Sequence, residues 1–284
     1  MTAPAASPPR RCPALCVLAS GSAGNCSIVH SPGAGVWLID LGLSPRRTRR
    51  ALQAAGLDLG DIRAALLTHP DHDHLHPGWS RAWPAGAPIA IHQGHLGRAR
   101  GRLPRARFDV FEQQLDLGAA GRAAAALGPH DTDGAAVFRL ELGPAGSLGY
   151  ATDIGRCDRP LLRLLGGVDT LAIESNNCPR LQAISGRPAL VIDRIVGGAG
   201  HLSNQQCHDA VRAIAPRARV VLLHLSRDCN HPALARRLHH GAPYELVLSS
   251  QSRSTPWLAL EPGRPAAPCR RQPARQLALF TAAS

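Results

Sequence analysis

The sequence is poor in aromatic residues, contains no lysine and has no apolar run long enough to cross a bilayer. Phe, Trp and Tyr make up 4% of the 284 residues, so a core must be built from Ala, Val, Leu and Ile. The 32 basic residues are all arginines and outnumber the 20 acids, which gives a net charge of +12. This excess favours polyanionic partners such as nucleic acid, and the missing apolar run argues against a membrane protein.

The cysteines are scattered and form no C-x-x-C pair. Eight cysteines without paired spacing predict neither the disulfide framework of a small secreted chain nor a zinc ribbon. The first residues, Met1–Arg11, are rich in Pro and Ala and lack the apolar segment of a secretory signal. Both features predict a cytoplasmic protein with reduced thiols.

Composition divides the chain into a central domain and two tails. Residues 1–12 and 263–284 are rich in Pro, Ala and Arg without sustained periodicity, which predicts disordered tails. Residues 13–262 form the predicted domain, and a hydrophobic content of 44% over the whole chain is sufficient for a sizeable core.

The domain alternates short β-type runs with helical segments, and several of the runs are apolar enough to be buried on both faces. The predicted strands are Ala14–Ala19, Val36–Asp40, Ala64–Thr68, Pro88–Ile91, Val137–Leu142, Ser147–Thr152, Thr170–Glu174, Val220–Leu225 and Tyr244–Leu248. Ser44 caps a predicted helix that is closed by Gly56, and Ser203 begins another that runs through Ile214. The mixture predicts a layered α/β architecture with helices outside two sheets.

The most informative stretch, Leu67–His74, follows one of these strands. Its sequence, L-T-H-P-D-H-D-H, places three His and two Asp within six residues at a strand end. Imidazole and carboxylate groups are the usual ligands of Zn²⁺ and Mn²⁺, and carboxylates are costly to bury without a cation. The spacing therefore predicts a metal centre rather than a His-rich surface loop.

This stretch resembles the T-H-x-H-x-D-H motif of the metallo-β-lactamase-fold hydrolases. A second segment, Leu18–Asn25, reads L-A-S-G-S-A-G-N and is similar to the opening loop of the YycJ/WalJ-like branch of that family. Further motifs of the branch follow in the same order at similar spacing, in Pro129–Asp131, Ala151–Gly155, Glu174–Asn176, Gly200–Asn204 and Leu223–Ser226. The resemblance implies a four-layer αββα sandwich with two divalent metal ions, zinc or manganese, at one edge.

The resemblance also implies which residues hold the ions, with Asp153 bridging the two. The other implied ligands are His69, Asp71 and His130 for the first ion, and Asp73, His74 and His224 for the second. Two neighbouring cations generate a nucleophile from water at neutral pH and polarise a phosphoryl oxygen, which suits phosphodiester hydrolysis. Asp73 is expected to orient that nucleophile as well.

The chain departs from the motif at one position, where Asp71 replaces the second His and His72 follows it. An oxygen ligand at this position favours a harder ion, Mn²⁺ over Zn²⁺. The alternatives are a shifted loop in which His72 binds, and a weakened first site that leaves a single ion. We favour Asp71, because Asp73 and His74 fix the register of the turn.

Two further residues take catalytic roles from the resemblance. His201, within Gly200–Asn204, is the expected general acid or phosphate clamp, and His224 is the expected ligand, although these two roles could be exchanged. Glu174 is expected to orient one of the two imidazoles; a carboxylate on the solvent side of a strand is the alternative.

Two arginine clusters are candidate nucleic-acid contacts. One includes Arg46 and Arg47 at the start of the first helix, and the other includes Arg98, Arg100 and Arg102. Such residues bind phosphate with an affinity that falls steeply with salt. A solvated face is the alternative for each cluster.

The C-terminal tail carries a separate signal. Gln276, Leu277, Leu279 and Phe280 belong to the pentapeptide Q-L-A-L-F, which closely resembles the bacterial sliding-clamp-binding motif. A flexible tail that presents a Gln and three large apolar side chains suits a tethering peptide. Packing of the same residues back onto the domain is the alternative.

Together these features predict a cytoplasmic, metal-dependent phosphodiesterase, and more specifically a DNA nuclease recruited to replication or repair by the sliding clamp. The resemblance implies 5′→3′ exonuclease activity on duplex DNA. One alternative is a small-molecule hydrolase of the same fold that acts on an ester, a thioester or a cyclic phosphodiester. The others are a transfer-RNA-processing endonuclease and, if Asp71 disables the first site, a catalytically impaired clamp-binding accessory protein.

Overall fold

Two β-sheets packed face to face, with helices on the outer face of each, make up the computed structural model. It describes residues 7–188, 192, 197–198 and 200–263. The arrangement confirms the four-layer αββα sandwich predicted from the sequence.

The first sheet contains seven strands and is mixed. The strands are β1 (Ala14–Ala19), β2 (Cys26–Ser31), β3 (Gly35–Ile39), β4 (Ile62–Leu67), β5 (Ile89–His92), β6 (Phe108–Phe111) and, late in the chain, β14 (Leu258–Ala259). Their order is β14-β1-β2-β3-β4-β5-β6, antiparallel from β14 to β3 and parallel from β3 to β6. The carboxyl ends of the parallel strands therefore share one edge, where the His/Asp-rich motif begins.

The second sheet also contains seven strands. They are β7 (Gln114–Asp116), β8 (Arg122–Gly128), β9 (Ala135–Glu141), β10 (Ser147–Ala151), β11 (Thr170–Glu174), β12 (Arg219–Leu223) and β13 (Glu245–Leu248). Their order is β13-β12-β11-β10-β9-β8-β7, with β10 to β13 parallel and the others antiparallel. This sheet thus has its own edge of parallel strand ends.

Apolar side chains fill the space between the sheets and beneath the helices. Residues of β1 alternate, because Leu15 and Val17 face the inter-sheet core while Cys16 and Leu18 face the outer helices. Helices α1 (Pro45–Ala54), α2 (Trp79–Ala82) and α3 (Leu96–Arg102) cover the first sheet. Helices α4 (Arg159–Leu165), α6 (Asn204–Ile214) and α7 (Pro232–Leu238) cover the second, and α5 (Pro179–Ala183) follows β11.

All nine predicted strands are present, and two of them, β1 and β11, have the predicted bounds. Five predicted strands run one or two residues too far. In β3 and β12 a left-handed residue directly follows the strand end, with φ of 63° at Asp40 and 49° at His224. The predicted N-caps are confirmed, since Ser44 accepts from the Arg47 N–H and Ser203 accepts from the N–H of its third helical residue.

Five strands were not predicted: β2, β6, β7, β8 and β14. The sequence of β8 gives no indication of a strand, because R-A-A-A-A-L-G consists mainly of alanine, which has a low strand propensity. It forms because it pairs with β9 along all seven of its residues. Strands β6, β7 and β14 are short edge strands whose pairing is decided by the sheet rather than by their own sequence.

The ends of the chain lie partly outside the described residues. Residues 7–12 are described and form neither helix nor strand, whereas 1–6 and 264–284 are not described. The clamp-like segment 276–280 therefore lies outside the described residues. The seven described cysteines are free thiols. In the described part of the chain, we find no helix with the length and apolar character needed to span a bilayer.

Candidate metal centre

The predicted metal-binding residues meet at one edge of the sandwich, where strands from both sheets end. His69 follows β4 in the first sheet, and in the second sheet Asp153 follows β10 and His224 follows β12. Asp153 and His224 both have the left-handed backbone that is rare for non-glycine residues and recurs at functional sites. The parallel strands therefore bring residues far apart in the sequence to a common point.

The first group of candidate ligands contains His69, His130 and Asp153, whose ligand atoms lie within 4.8 Å of one another. All three side chains are buried. Asp71 stands beside them, with its Oδ2 3.7 Å from His69 Nε2. These four residues are the ones that the sequence predicts around the first ion.

The donor atoms of this group fit a divalent cation. His69 Nε2 is buried and has no hydrogen-bond partner in the described structure, while its Nδ1 lies 3.0 Å from Thr68 Oγ1. Burial and the neighbouring His74 lower the pKa of His69 well below its ordinary value, so the ring is neutral and presents a lone pair. His130 Nδ1 donates to the Gly200 carbonyl at 3.0 Å, which directs its Nε2 toward a ligand role.

The second group contains Asp73, His74, Asp153 and His224, again with ligand atoms within 4.8 Å of one another. Asp153 Oδ2 lies 2.9 Å from His74 Nε2, and its Oδ1 contacts His224 Nδ1. Burial raises the pKa of Asp153, but the His224 and His74 imidazoles hold it well below its usual value. Asp153 belongs to both groups, which is the place expected of a bridging carboxylate.

Asp40 is a buried carboxylate behind the centre that sequence reasoning did not identify as functional. Its oxygens accept hydrogen bonds from the Thr68 N–H at 2.9 Å, from Thr68 Oγ1 at 2.8 Å and from His74 Nδ1 at 2.7 Å. Because a carboxylate only accepts, His74 carries its proton on Nδ1 and turns Nε2 toward the ligand group. Burial lowers the pKa of His74, but Asp40 and Asp153 raise it well above its ordinary value.

The opening loop connects the two sheets behind the ligands. Ser20 Oγ accepts from the His224 N–H at 2.8 Å and donates to Asn25 Oδ1 at 3.1 Å. Asn25 Nδ2 lies 3.0 Å from His74 Nε2 and 3.3 Å from Asp73 Oδ2. This loop therefore holds residues of the second group in place.

His201 and Glu174 form a pair at the side of the centre. Glu174 is fully buried; its Oε1 accepts from the Ile154 and Leu202 N–H groups, and its Oε2 lies 3.1 Å from His201 Nδ1. Burial lowers the pKa of His201, but Glu174, together with Asp153 and Asp73, raises it to about 9. The imidazole of His201 is 19% exposed, and its ring centroid lies 5.1 Å from that of His224. Glu174 thus orients His201, and its alternative as a solvent-side carboxylate does not fit this burial.

Asp71 and not His72 faces the first group. His72 is exposed and belongs to none of the ligand groups found among the described residues. Asp71 Oδ2 faces His69, while its Oδ1 accepts from Arg98 at 2.5 Å. Asp71 and His130 also lie within ligand distance of Asp131, which is exposed.

The predicted arginine clusters differ in their surroundings. Arg98 is paired with Asp71 and with Asp133 at 3.0 Å, so its charge is already engaged. Arg100 is exposed and Arg102 is half-buried on the same helix. At the start of α1, Arg46 is exposed, while Arg47 lines a cavity of about 710 Å³.

Two arginine-lined cavities share the lining residues Arg227, Gln251 and Ser252. The first, of about 710 Å³, is lined by Arg47, Arg50 and Arg227. The second, of about 520 Å³, shares Arg227 with the first and adds Arg236 and Arg253. Neither is lined by an Asp or Glu from the described residues. Ser20, which accepts from the backbone N–H of His224, lines the second cavity, whereas none of the candidate ligands lines either cavity.

Comparison with known proteins yields one family and several relatives. Residues 19–175, more than half of the chain, match the family model described as "Metallo-beta-lactamase superfamily". The chain is 26% identical over 235 residues to exodeoxyribonuclease YycJ of Bacillus anthracis, which covers 78% of this chain and 85% of that protein. It is 24% identical over 233 residues to exodeoxyribonuclease WalJ of Streptococcus pneumoniae serotype 2 (strain D39 / NCTC 7466), covering 77% and 84%. The similarity to the YycJ/WalJ branch that the motifs predict is confirmed.

Solved structures share the fold at lower identity. YhfI, a metallo-β-lactamase fold protein of Bacillus subtilis, superposes with a TM-score of 0.66 at 16% identity, covering 86% of this chain and 99% of that one. The short form of human tRNase Z superposes with a TM-score of 0.58 at 15% identity, covering 85% and 98%. These similarities establish the architecture and do not identify the substrate.

Proposed function

Because the chain belongs to the metallo-β-lactamase superfamily and is a hydrolase of that fold, we propose that it is a DNA exonuclease that degrades duplex DNA from the 5′ end. The observation that carries the proposal is the pair of His/Asp groups that share Asp153; the arginine-lined cavities, one of them reaching Ser20 behind His224, support it. The similarity to two proteins named exodeoxyribonucleases supports the same substrate class.

The proposed centre holds two divalent cations, zinc or manganese. The first is assigned to His69, Asp71 and His130, the second to Asp73, His74 and His224, and Asp153 is assigned to both. When bound, the ions supply an activated water nucleophile and Lewis-acid polarisation of the scissile phosphate. Asp40 orients the His74 imidazole, Ser20 holds the backbone of His224, and Asn25 donates to Asp73.

The remaining side chains have separate proposed roles. Asp73 is half-buried at the edge of the second group and is suited to orient the attacking water. His201 is held by Glu174 through Nδ1, so its Nε2 is directed away from Glu174 and toward a substrate. We assign His201 as the group that protonates the leaving oxygen or clamps the phosphate, a role worth about 10²–10⁴ in rate for a general acid. His224, which is buried and belongs to the second ligand group, is assigned to the metal.

The arginine-lined cavities are the proposed contact with the phosphate backbone. Arg50, Arg227, Arg236 and Arg253 are exposed and form no ion pair with another described residue. A surface on which these four guanidinium groups form no ion pair with a described residue suits a polyanion. Arg46, Arg47, Arg100 and Arg102 remain candidates from the sequence, whereas the ion pairs of Arg98 give it a different role.

Removing two guanidinium groups of the cavities should weaken DNA binding and its salt dependence. We expect the Arg50→Ala/Arg227→Ala double variant to reduce the slope of log affinity against log salt by about 2, because each lost phosphate contact removes about 0.9. Fluorescence anisotropy of labelled duplex DNA, titrated at several salt concentrations without catalytic metal, measures the slope. The matched control is Arg49→Ala/Arg237→Ala, which removes two exposed arginines of α1 and α7 outside the cavities. Equal slopes for the two double variants would show that the DNA backbone does not bind at these cavities.

Degradation of end-labelled duplex DNA tests the proposed activity. With Mn²⁺, a 5′ label should appear at once as a mononucleotide, whereas a 3′ label should persist on progressively shorter strands. A chelator should abolish both patterns. The opposite labelling pattern would overturn the polarity, and degradation of RNA alone would favour the RNA-processing alternative. Folded protein that is inactive on DNA with Mn²⁺, Zn²⁺ and Mg²⁺ would favour a small-molecule hydrolase or the accessory role.

We also propose that the C-terminal segment 276–280 tethers the enzyme to the bacterial sliding clamp in the cytoplasm. Gln276, Leu277, Leu279 and Phe280 carry this proposal through their sequence alone. A local tether would raise the effective concentration of the nuclease at replicating DNA without adding contacts at the active centre.

A further inference from the structure

Asp71 is held between the first ligand group and an arginine that the family motif does not contain. Its Oδ2 lies 3.7 Å from His69 Nε2, and its Oδ1 accepts from Arg98 Nη2 at 2.5 Å. The other terminal nitrogen of the same guanidinium, Nη1, donates to Asp133 Oδ2 at 3.0 Å. The three side chains therefore form one line, Asp71–Arg98–Asp133, that ends at the metal centre.

This line is poorly suited to stabilising the fold. The side chains of Asp71, Arg98 and Asp133 are 30%, 45% and 39% exposed, so water and salt screen the ion pairs. Exposed pairs of this kind contribute about 0–1 kcal/mol to stability. The pairs do fix the orientation of the Asp71 carboxylate, because a guanidinium is planar and its N–H donors have fixed directions.

The orientation of the side chain matters at position 71 because the proposed ligand there is a carboxylate. Its two oxygens are chemically equivalent, and rotation about the last side-chain bond exchanges them or turns both away from His69. With Oδ1 held by Arg98, Oδ2 is the oxygen that faces the site. Asp133 holds the far side of the guanidinium, and its negative charge offsets the repulsion between Arg98 and a cation in the centre.

We propose that Arg98 is a positioning residue for the first metal ion, and that the Asp71–Arg98–Asp133 line compensates for the exchange of His for Asp at position 71. The proposal rests on the metal centre proposed above, and it explains how the first site is retained despite that exchange. It also gives Arg98 a function that differs from binding the nucleic-acid backbone.

Metal binding by the full-length Arg98→Met variant tests this proposal without relying on activity. Methionine keeps the apolar stem and removes the guanidinium. After removal of bound metal by a chelator, Mn²⁺ binding is followed by calorimetry and the bound metal is counted by elemental analysis. We expect the affinity for one ion to fall about 10–100-fold, the usual effect of losing a partner that orients a ligand, while the other ion binds as in the wild type. The melting temperature of the metal-free protein should not change.

Two further variants make the result specific. Arg100→Met, on the same helix and exposed, should bind both ions as the wild type does. Adding Asp71→His to Arg98→Met should restore the first ion, because an imidazole at this position does not need Arg98 to select an oxygen.

The possible contrary results separate the two proposals. Unchanged binding by Arg98→Met, equal loss of both ions, or no recovery with Asp71→His would overturn the positioning role and leave the nuclease proposal intact. Uptake of no more than one ion by the wild type would overturn the two-ion centre itself. The DNA degradation assay decides the activity independently of either outcome.

Discussion

Asn in place of Asp153 should remove both metal ions and lower hydrolysis of any substrate by at least about a thousandfold, since ion-based stabilisation contributes several kcal/mol. Asp153 belongs to both ligand groups, and its two oxygens face His74 and His224. An amide offers a single neutral oxygen and cannot bridge two cations. Asn also tolerates the left-handed backbone at this position, so the strand end should keep its shape.

Elemental analysis of the dialysed Asp153→Asn variant, paired with an activity assay, measures this effect. Asp109→Asn is the matched control, because Asp109 lies on the edge strand β6, away from the ligand groups, and its ion pair is with the exposed Arg107. The control should keep its metal and its activity. Two bound ions in Asp153→Asn would show that the bridging carboxylate is another residue.

The sequence was sufficient to predict which residues lie together at this edge of the sandwich, because they are clustered in motifs. Thr68–His74 carries four of them, and Pro129–Asp131, Ala151–Gly155 and Leu223–Ser226 each carry one more. Imidazoles and carboxylates at such a density are typical of metal centres, and the motifs occur in the order of a known family. The layer arrangement followed from the same resemblance and from the alternation of strands and helices.

The supporting residues were not predictable because their roles depend on which strands become neighbours. Asp40 stands at the end of an ordinary apolar strand, and only the parallel pairing of β3 with β4 brings it to Thr68 and His74. Arg98 belongs to an arginine-rich helix whose sequence predicts a nucleic-acid contact. Its contact with Asp71 depends on the position of α3 outside the first sheet. In both cases the partner lies in a separate part of the sequence.

Ala in place of Gly42 should cost the protein both stability and its second metal ion. A Cβ at Gly42 would lie 1.7 Å from the Asp73 carbonyl oxygen and 2.6 Å from the Asn25 backbone nitrogen. These are backbone atoms of the motif loop and the opening loop, which are joined at this point because the Asn25 N–H donates to the Asp73 carbonyl at 2.7 Å. Overpacking of this kind costs about 1–3 kcal/mol or more. Neither loop can rotate a side chain out of the way, so the backbone of Asp73 itself must move.

A displaced Asp73 also moves its neighbour His74, whereas a functional metal site tolerates errors of only about 0.5 Å in its ligands. Gly42→Ala should therefore lower the urea concentration at the midpoint of unfolding and lose the ion assigned to Asp73 and His74. The ion assigned to His69 and His130 should still bind, with lower affinity. Gly97→Ala is the matched control, because a Cβ at Gly97 on α3 would meet no atom of the described residues within 4 Å, and Ala there should be neutral or stabilising by about 0.5–1 kcal/mol. Wild-type stability and metal content in Gly42→Ala would show that the two loops are not tightly joined. Loss of stability without loss of metal would show that they can move without disturbing the ligands.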